Sequence, residues 1–327
     1  MGCSGLGIHP GGVNPAVVAA LEQLIVAREL RVETGSGSSL TRARRARRLI
    51  PLAHGLDLPA EIAAELTATE LALTRALAVA RYGRTRRPLA RASAALVWGV
   101  PLLNSPPSAV EVLGWSAAST RAAGGLRYWG TAHPDAYVVE QDGVVLTSLA
   151  RTLAEFAASH PFAAGVVAVD WALRVRGGGV RCSLDEIAEA ADALGLRRGR
   201  ARLERVLSFA DGRSESPGES WSRVLIRQLG FADPELQVEV RGLRGELFRA
   251  DFGWSGGRLL GEFDGREKYT SATMRGNRSA SDRVVHEKRR EDSVRATGRG
   301  VCRWDWSDLV HARRLAATLS AAGAPRR

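Results

Sequence analysis

Two neighbouring stretches decide how this chain is read: Arg249-Ala-Asp251-Phe-Gly-Trp254 and, after a short turn, Arg258-Leu-Leu-Gly-Glu262-Phe-Asp264-Gly-Arg-Glu-Lys268. Both carry the two-residue alternation of a strand, in which successive side chains point to opposite faces. In the first, Phe248, Ala250, Phe252 and Trp254 share one face and Asp251 takes the other. In the second, Leu259, Gly261 and Phe263 share a face, while Glu262 and Asp264 point opposite. If both apolar faces lie on one core, the carboxylates of Asp251 and Glu262 become neighbours. Adjacent carboxylates repel unless a cation is present, and an all-oxygen ligand set suits Mg2+ or Mn2+. Such a metal polarises a phosphodiester and helps generate hydroxide from water. Asp264 adjoins the pair, and Lys268 is placed to orient the water or stabilise a charged phosphate. The plainer alternative is a strand pair whose acidic edge faces solvent.

Outward from these strands, Ser216-Pro217-Gly218-Glu219 opens a helix running to Leu229, with Trp221, Leu225 and Leu229 on its predicted buried stripe. Glu219 has two roles open to it: support for the carboxylate pair, or the last member of a Ser-x-x-Glu capping box with proline at the first helical position. Leu236 to Val240 reads as a strand. Asp282 to Thr297 reads as a charged helix containing Lys288 and Arg289, and Val301-Cys-Arg-Trp304 as the last core strand. Asp211-Gly-Arg-Ser-Glu-Ser216-Pro-Gly is polar and rich in turn formers, so a new domain is expected to begin at residue 213.

The rest of the chain is longer than one typical domain at 327 residues in all. With 45% hydrophobic and 25% charged residues it falls in the globular class. No apolar run reaches the ~18 residues that span a bilayer, so no membrane partner is expected. Three isolated cysteines without CxxC spacing argue against a disulfide framework or a zinc site and for a reducing cytoplasm. The formal charge of +11 suggests a polyanionic partner, DNA above all, although a GC-rich genome also inflates arginine. Of the 46 basic residues only Lys268 and Lys288 are lysines, and both fall beside the acidic strands. Nothing points to a small-molecule organic cofactor, and oligomeric state is silent.

Residues 1–14 are expected to lack order, and residues 15–98 to be helical. Helices are predicted near Pro15–Arg31 and Ala60–Arg81, with a basic run of Arg42, Arg44, Arg45, Arg47 and Arg48 between them. This fits a helix-turn-helix or winged helix that contacts DNA through those arginines, and equally a small bundle with a solvated basic face. Residues 99–212 read as a mixed α/β middle region in which Trp98, Trp129 and Trp171 fill the core.

The order helix with Glu219, strand, strand with Asp251, strand with Glu262-Phe-Asp264-Gly, helix, strand resembles the PD-(D/E)XK nuclease superfamily. Within it the chain is closest to small bacterial domains related to very-short-patch repair endonucleases. In that subgroup the acidic pair is followed by a glycine and then a histidine, and Lys268 stands at the histidine's place; Asp264 occupies the superfamily's usual lysine position. Upstream, the Arg-rich helices, Ala92-Ser-Ala-Ala-Leu-Val-Trp-Gly-Val-Pro-Leu and Val145-Leu-Thr-Ser-Leu-Ala-Arg-Thr-Leu are similar to actinobacterial proteins that join an AbiEi-type antitoxin-like region to such a domain. The resemblance implies an α+β, multidomain chain: a helical or winged-helix start, a mixed middle, and an αβββαβ restriction-endonuclease-like core over 213–327. It implies a cytoplasmic, Mg2+- or Mn2+-dependent DNA endonuclease, in DNA repair or phage defence, with Asp251, Glu262, Lys268 and Glu219 catalytic, and Asp251, Glu262 and Asp264 on the metal. Lys288 and Arg289 would contact DNA. The alternative is an antitoxin-like DNA-binding regulator whose nuclease-like domain is inactive.

Overall fold

The computed structural model describes residues 14–29, 38–84, 86–103, 105–175, 177–243, 245–265 and 291–327. Lys268, Lys288 and Arg289 lie outside them. The chain is mixed α+β and divides into two compact units, residues 1–172 with 180–208, and 173–179 with 209–327.

In the first unit, α1 (Pro15–Glu22) starts behind Asn14, whose side chain accepts the Ala16 N–H at 2.9 Å. Then follow β1 (Ile25–Val26), α2 (Ser38–Arg45), β2 (Leu49–Ala53) and β3 (Leu56–Pro59). The three strands form an antiparallel sheet of order β1-β3-β2. Sequence periodicity predicts no strands here, because each is short and lies against the arginine run. The β2–β3 turn is His54-Gly55, with Gly55 at φ 76°, a backbone state that favours glycine. The helix predicted over Ala60–Arg81 is two helices, α3 (Ala60–Glu65) and α4 (Ala68–Tyr82). Thr67 breaks it by forming a full capping box with Glu70.

The unit continues through α5 (Arg91–Trp98), β4 (Val110–Leu113), β5 (Arg121–Ala123), β6 (Leu126–Trp129), β7 (Val138–Gln141) and β8 (Val144–Thr147). Helices α6 (Leu149–Ser159), α7 (Phe162–Leu173), α8 (Leu184–Ala193) and α9 (Arg200–Phe209) follow. The boundary expected at residue 99 does not separate packed units: Val17, Leu58 and Leu77 share one core cluster with Val112, Tyr128 and Leu146. Trp98, Trp129 and Trp171, expected in the core, are only half-buried. Their polar edges explain this. The Trp98 indole N–H donates to the Thr147 carbonyl, that of Trp129 donates to Glu111, and the Arg181 guanidinium lies over the Trp171 ring. Among the described residues no helix is long and apolar enough to cross a membrane.

The second unit contains α10 (Pro217–Gln228), β9 (Glu235–Arg241), β10 (Leu247–Trp254), β11 (Leu259–Asp264), β12 (Gly300–Asp305), α11 (Trp306–Val310) and α12 (Ala312–Ala321). Residues 291–295, just before β12, are helical. The sheet order is β12-β11-β10-β9, with β11–β12 parallel and the other pairs antiparallel. Its apolar residues form two clusters. Leu236, Phe252, Trp254, Leu259, Phe263 and Trp304 pack with the helices, whereas Val240, Phe248, Ala250 and Leu260 pack with Val294. Phe248 and Ala250 therefore do not share a face with Phe252 and Trp254, as alternation predicts. The alternation is interrupted between Ala250 and Phe252, at Asp251.

Helix α10 buries more than its predicted stripe of Trp221, Leu225 and Leu229. Those three are half-buried, and Gly218, Ser222, Val224 and Ile226 are buried outright. Its first turn lies directly on β11. A Cβ added at Gly218 would stand 2.0 Å from Cε1 and 2.3 Å from Cζ of Phe263, far inside van der Waals contact. Gly218→Ala is therefore expected to destabilise this unit by about 1–3 kcal/mol through overpacking. Urea denaturation measures this, and an unchanged midpoint would show that α10 does not sit on Phe263.

Candidate functional site

Glu219 lies in the first turn of α10, and two local features place it there. Pro217 starts the helix, and Ser216 caps it by accepting the Glu219 N–H at 3.1 Å. The Glu219 carboxyl turns back and is buried, with 6% of the residue exposed. It accepts three donors: the Ser216 hydroxyl at 2.7 Å, the Glu215 N–H at 2.8 Å and the Gln237 side-chain amide at 3.0 Å. Its carboxyl takes the Glu215 N–H where a full capping box would take that of Ser216. Burial, and next the negative charge of Asp251, push its pKa up to about 7.

Gln237 reaches this carboxyl from β9 through an unusual backbone, φ 54°. The β9–β10 register pairs Val238 with Ala250 and Leu236 with Phe252, which leaves Gln237 opposite Asp251 at the skipped position. On its other side, β10 pairs with β11 from Trp254↔Leu259 to Phe252↔Gly261. Beyond that point Asp251 bridges the strands with its side chain, its Oδ2 accepting the Phe263 N–H at 2.8 Å. One residue before Phe263, Glu262 pairs in the parallel register with Arg303 of β12. Arg303 Nη2 lies 2.7 Å from Glu262 Oε2 and 3.2 Å from Glu291 Oε2, and its Nη1 lies 3.9 Å from Asp264 Oδ1.

Of the predicted site residues, Glu219, Asp251, Glu262 and Asp264 thus all belong to this sheet and the helix on it. Glu219 and Asp251 sense each other's charge, while Glu262 and Asp264 lean on Arg303. Sequence reasoning missed Gln237, Arg303 and Glu291. Arg303 had a usable signal: between Cys302 and Trp304 it must face away from their core, as Glu262 and Asp264 do. Gln237 had none, since its role depends on a positive φ inside a strand. Among the described residues, no group of three or more His, Cys, Asp or Glu side chains is spaced to hold a metal ion. Burial lifts the thiol of Cys302 to about 11 and that of Cys182 to about 12, so neither is a ready nucleophile near neutral pH.

The N-terminal arginines divide. Arg42, Arg45, Arg47 and Arg48 are exposed. Arg44 instead clamps the fully buried Asp57, its Nε at 2.7 Å from Oδ1 and its Nη2 at 2.5 Å from Oδ2. Asp57 would otherwise be a buried charge without compensation, so this arginine is held by the fold.

No family model matches the chain. It is 36% identical over 125 residues to an uncharacterized protein of Mycobacterium tuberculosis strain CDC 1551 / Oshkosh, and equally to one of strain ATCC 25618 / H37Rv. The match covers 38% of this chain and 45% of each relative, so the chain matches less than half of their length.

The raised pKa of Glu219 has a sign that can be measured. A carboxyl near 4.5 when unfolded and about 7 when folded binds more protons in the native state between those values. Stability is therefore full below about pH 4.5 and falls as pH rises through 7, by an amount on the order of 1–3 kcal/mol. Glu219→Gln mimics the protonated form and is expected to flatten this dependence, leaving the variant more stable than the parent at pH 8. Urea denaturation across pH 5–8.5 tests it; equal slopes for the two proteins would remove the assigned shift.

Proposed function

We propose that residues 209–327 act as a metal-dependent DNA endonuclease of the PD-(D/E)XK type, hydrolysing phosphodiester bonds. One observation carries the reading: an acid from a helix start, Glu219, lies electrostatically against an acid on an inner strand, Asp251, beside a second inner strand bearing Glu262. The succession of α10, β9, β10, β11 and β12 supports it. The donor types suit a hard divalent cation, since Glu219, Asp251, Glu262 and Asp264 offer only oxygen, and a cation would relieve the Asp251 repulsion that adds to burial in raising Glu219; binding one would require these acids to draw closer than they stand. Asp251 and Glu262 would hold the metal, with Asp264 adjacent and Glu219 in support. When bound, Mg2+ or Mn2+ supplies polarisation of the phosphodiester and acidification of water. The chain's own part is orientation and proton handling. The Phe263 N–H aims the Asp251 carboxylate, and Glu219 can hold or release a proton near neutral pH while Gln237 fixes its position. Lys268, beyond the described residues, is assigned to the water or the phosphate.

A second reading is favoured by a different observation. Arg303 already sits against Glu262, Asp264 and Glu291, and so fills with a guanidinium the charge that a metal would satisfy. This suits a nuclease-shaped domain that is inactive, in an antitoxin-like DNA-binding regulator. The order α1-β1-α2-β2-β3, with sheet order β1-β3-β2, supports a winged helix at its start. Arg42, Arg45, Arg47 and Arg48 would then contact phosphates, with Lys288 and Arg289 contacting DNA from the other unit.

Under the nuclease reading, the full chain nicks plasmid DNA with Mg2+ or Mn2+, and Asp251→Asn or Glu262→Ala lowers the rate about a hundredfold or more. The same cations raise the thermal midpoint of the parent at pH 8 but not that of Asp251→Asn. Nicking that survives both substitutions would sink the site. Operator binding unchanged in Glu262→Ala, with no cutting by the parent, selects the regulator.

For either reading, replacing Arg42, Arg45, Arg47 and Arg48 by Gln is expected to flatten the salt dependence of DNA binding by roughly one unit of log–log slope per lost phosphate contact. An unchanged slope in a filter-binding salt series would remove these arginines from the interface.

A further inference from the structure

A second concave site lies wholly within the first unit, remote in sequence from the acidic strands. It is a cleft of about 600 Å³, within the range of small-molecule sites. Its wall carries Arg28, Arg44, Arg75 and Arg84 with His54, and among the described residues no aspartate or glutamate lines it. Arg44 is neutralised from behind by Asp57, and Arg28 stands 3.9 Å from Glu29. Arg75 is different. Its Nη1 donates to the Ser108 carbonyl at 3.1 Å, while its Nε is buried with no hydrogen-bond partner among the described residues. An arginine on a cationic wall whose buried N–H lacks an acceptor is a charge that an anion held at that wall compensates. Burial also lowers the pKa of Arg75, the response of a charge lacking compensation. The ring of Tyr82 and the side chains of Leu40 and Pro51 add apolar surface to the same cleft.

We infer that this cleft binds a phosphorylated small molecule of mononucleotide size. Planar guanidinium forks suit phosphate oxygens. The tyrosine and apolar wall suit a flat, uncharged body, and the volume is that of a small-molecule site. The sequence carries no sign of an organic ligand, because the cleft's lining comes from six separate stretches between Val26 and Gly125. Leu40, Thr41 and Arg44 of the wall belong to α2, so the occupant touches the helix that bears Arg42 and Arg45.

Isothermal titration of the full chain with AMP, ADP, ATP, GMP, GTP and inorganic phosphate tests this. At least one nucleotide is expected to bind, more tightly than inorganic phosphate. Arg84→Glu, on an exposed position that leaves the fold intact, is expected to weaken it at least tenfold, and Arg75→Gln likewise. The inference is overturned if no nucleotide binds, if inorganic phosphate binds as tightly, or if binding survives Arg84→Glu. It is equally overturned if an oligonucleotide alone binds and only that binding is lost in Arg84→Glu, which would make the cleft part of a DNA surface.

Discussion

The C-terminal unit depends on one buried carboxyl. Seating the first turn of α10 on Phe263 requires Gly218, and it carries Glu219 out of water with it. A carboxylate in that position is costly unless it is hydrogen-bonded, so three donors converge on it. One of them, Gln237, reaches it only with a left-handed backbone in mid-strand. That conformation interrupts the β9–β10 ladder opposite Asp251, and the apolar residues of β10 divide between two clusters at the same point. Asp251 in turn bridges to the Phe263 N–H where the β10–β11 ladder stops. A glycine contact, a cap, a strained glutamine and a splayed strand pair are thus consequences of a single burial.

Charge compensation takes another form across the rest of the molecule. Arg303 spans Glu262, Glu291 and Asp264; Arg44 forks onto Asp57; and Arg151, fully buried, binds Glu155 at 2.8 Å together with the carbonyls of His133 and Ala136. Each uses the fixed geometry of a guanidinium to satisfy several acceptors at once, which a lysine could not do in the same way. Arginine richness therefore has two meanings in this chain. Some arginines compensate an acid that would be stranded without them, and others, such as Arg42 and Arg45, stand exposed on α2.

Legibility in the sequence followed the range of the interactions. The strands bearing Asp251 and Glu262, the strand over Leu236–Val240 and the helix that starts at Pro217 could be placed from periodicity, because alternation and helical spacing are local properties. The β1, β2 and β3 strands could not, since each is too short for a period and the adjoining arginine run masks them. Residues 60–81 read as one continuous helix because apolar spacing runs through the Thr67 cap. The exposure of the tryptophans is not legible because the partners of their rings, Thr147 for Trp98, Glu111 for Trp129 and Arg181 for Trp171, are brought near only by folding.

By itself the sequence determined which acids exist on which strands, that they alternate with an apolar face, and that a capped helix start precedes them. Those facts are local, and backbone periodicity enforces them. Tertiary structure decided what each acid is. Glu219 and Gln237 are 18 positions apart and Glu262 and Arg303 are 41, so the pairings that raise one carboxyl and neutralise another arise only when strands and helix assemble. Assembly alone also gathered six separate stretches into an arginine-lined cleft.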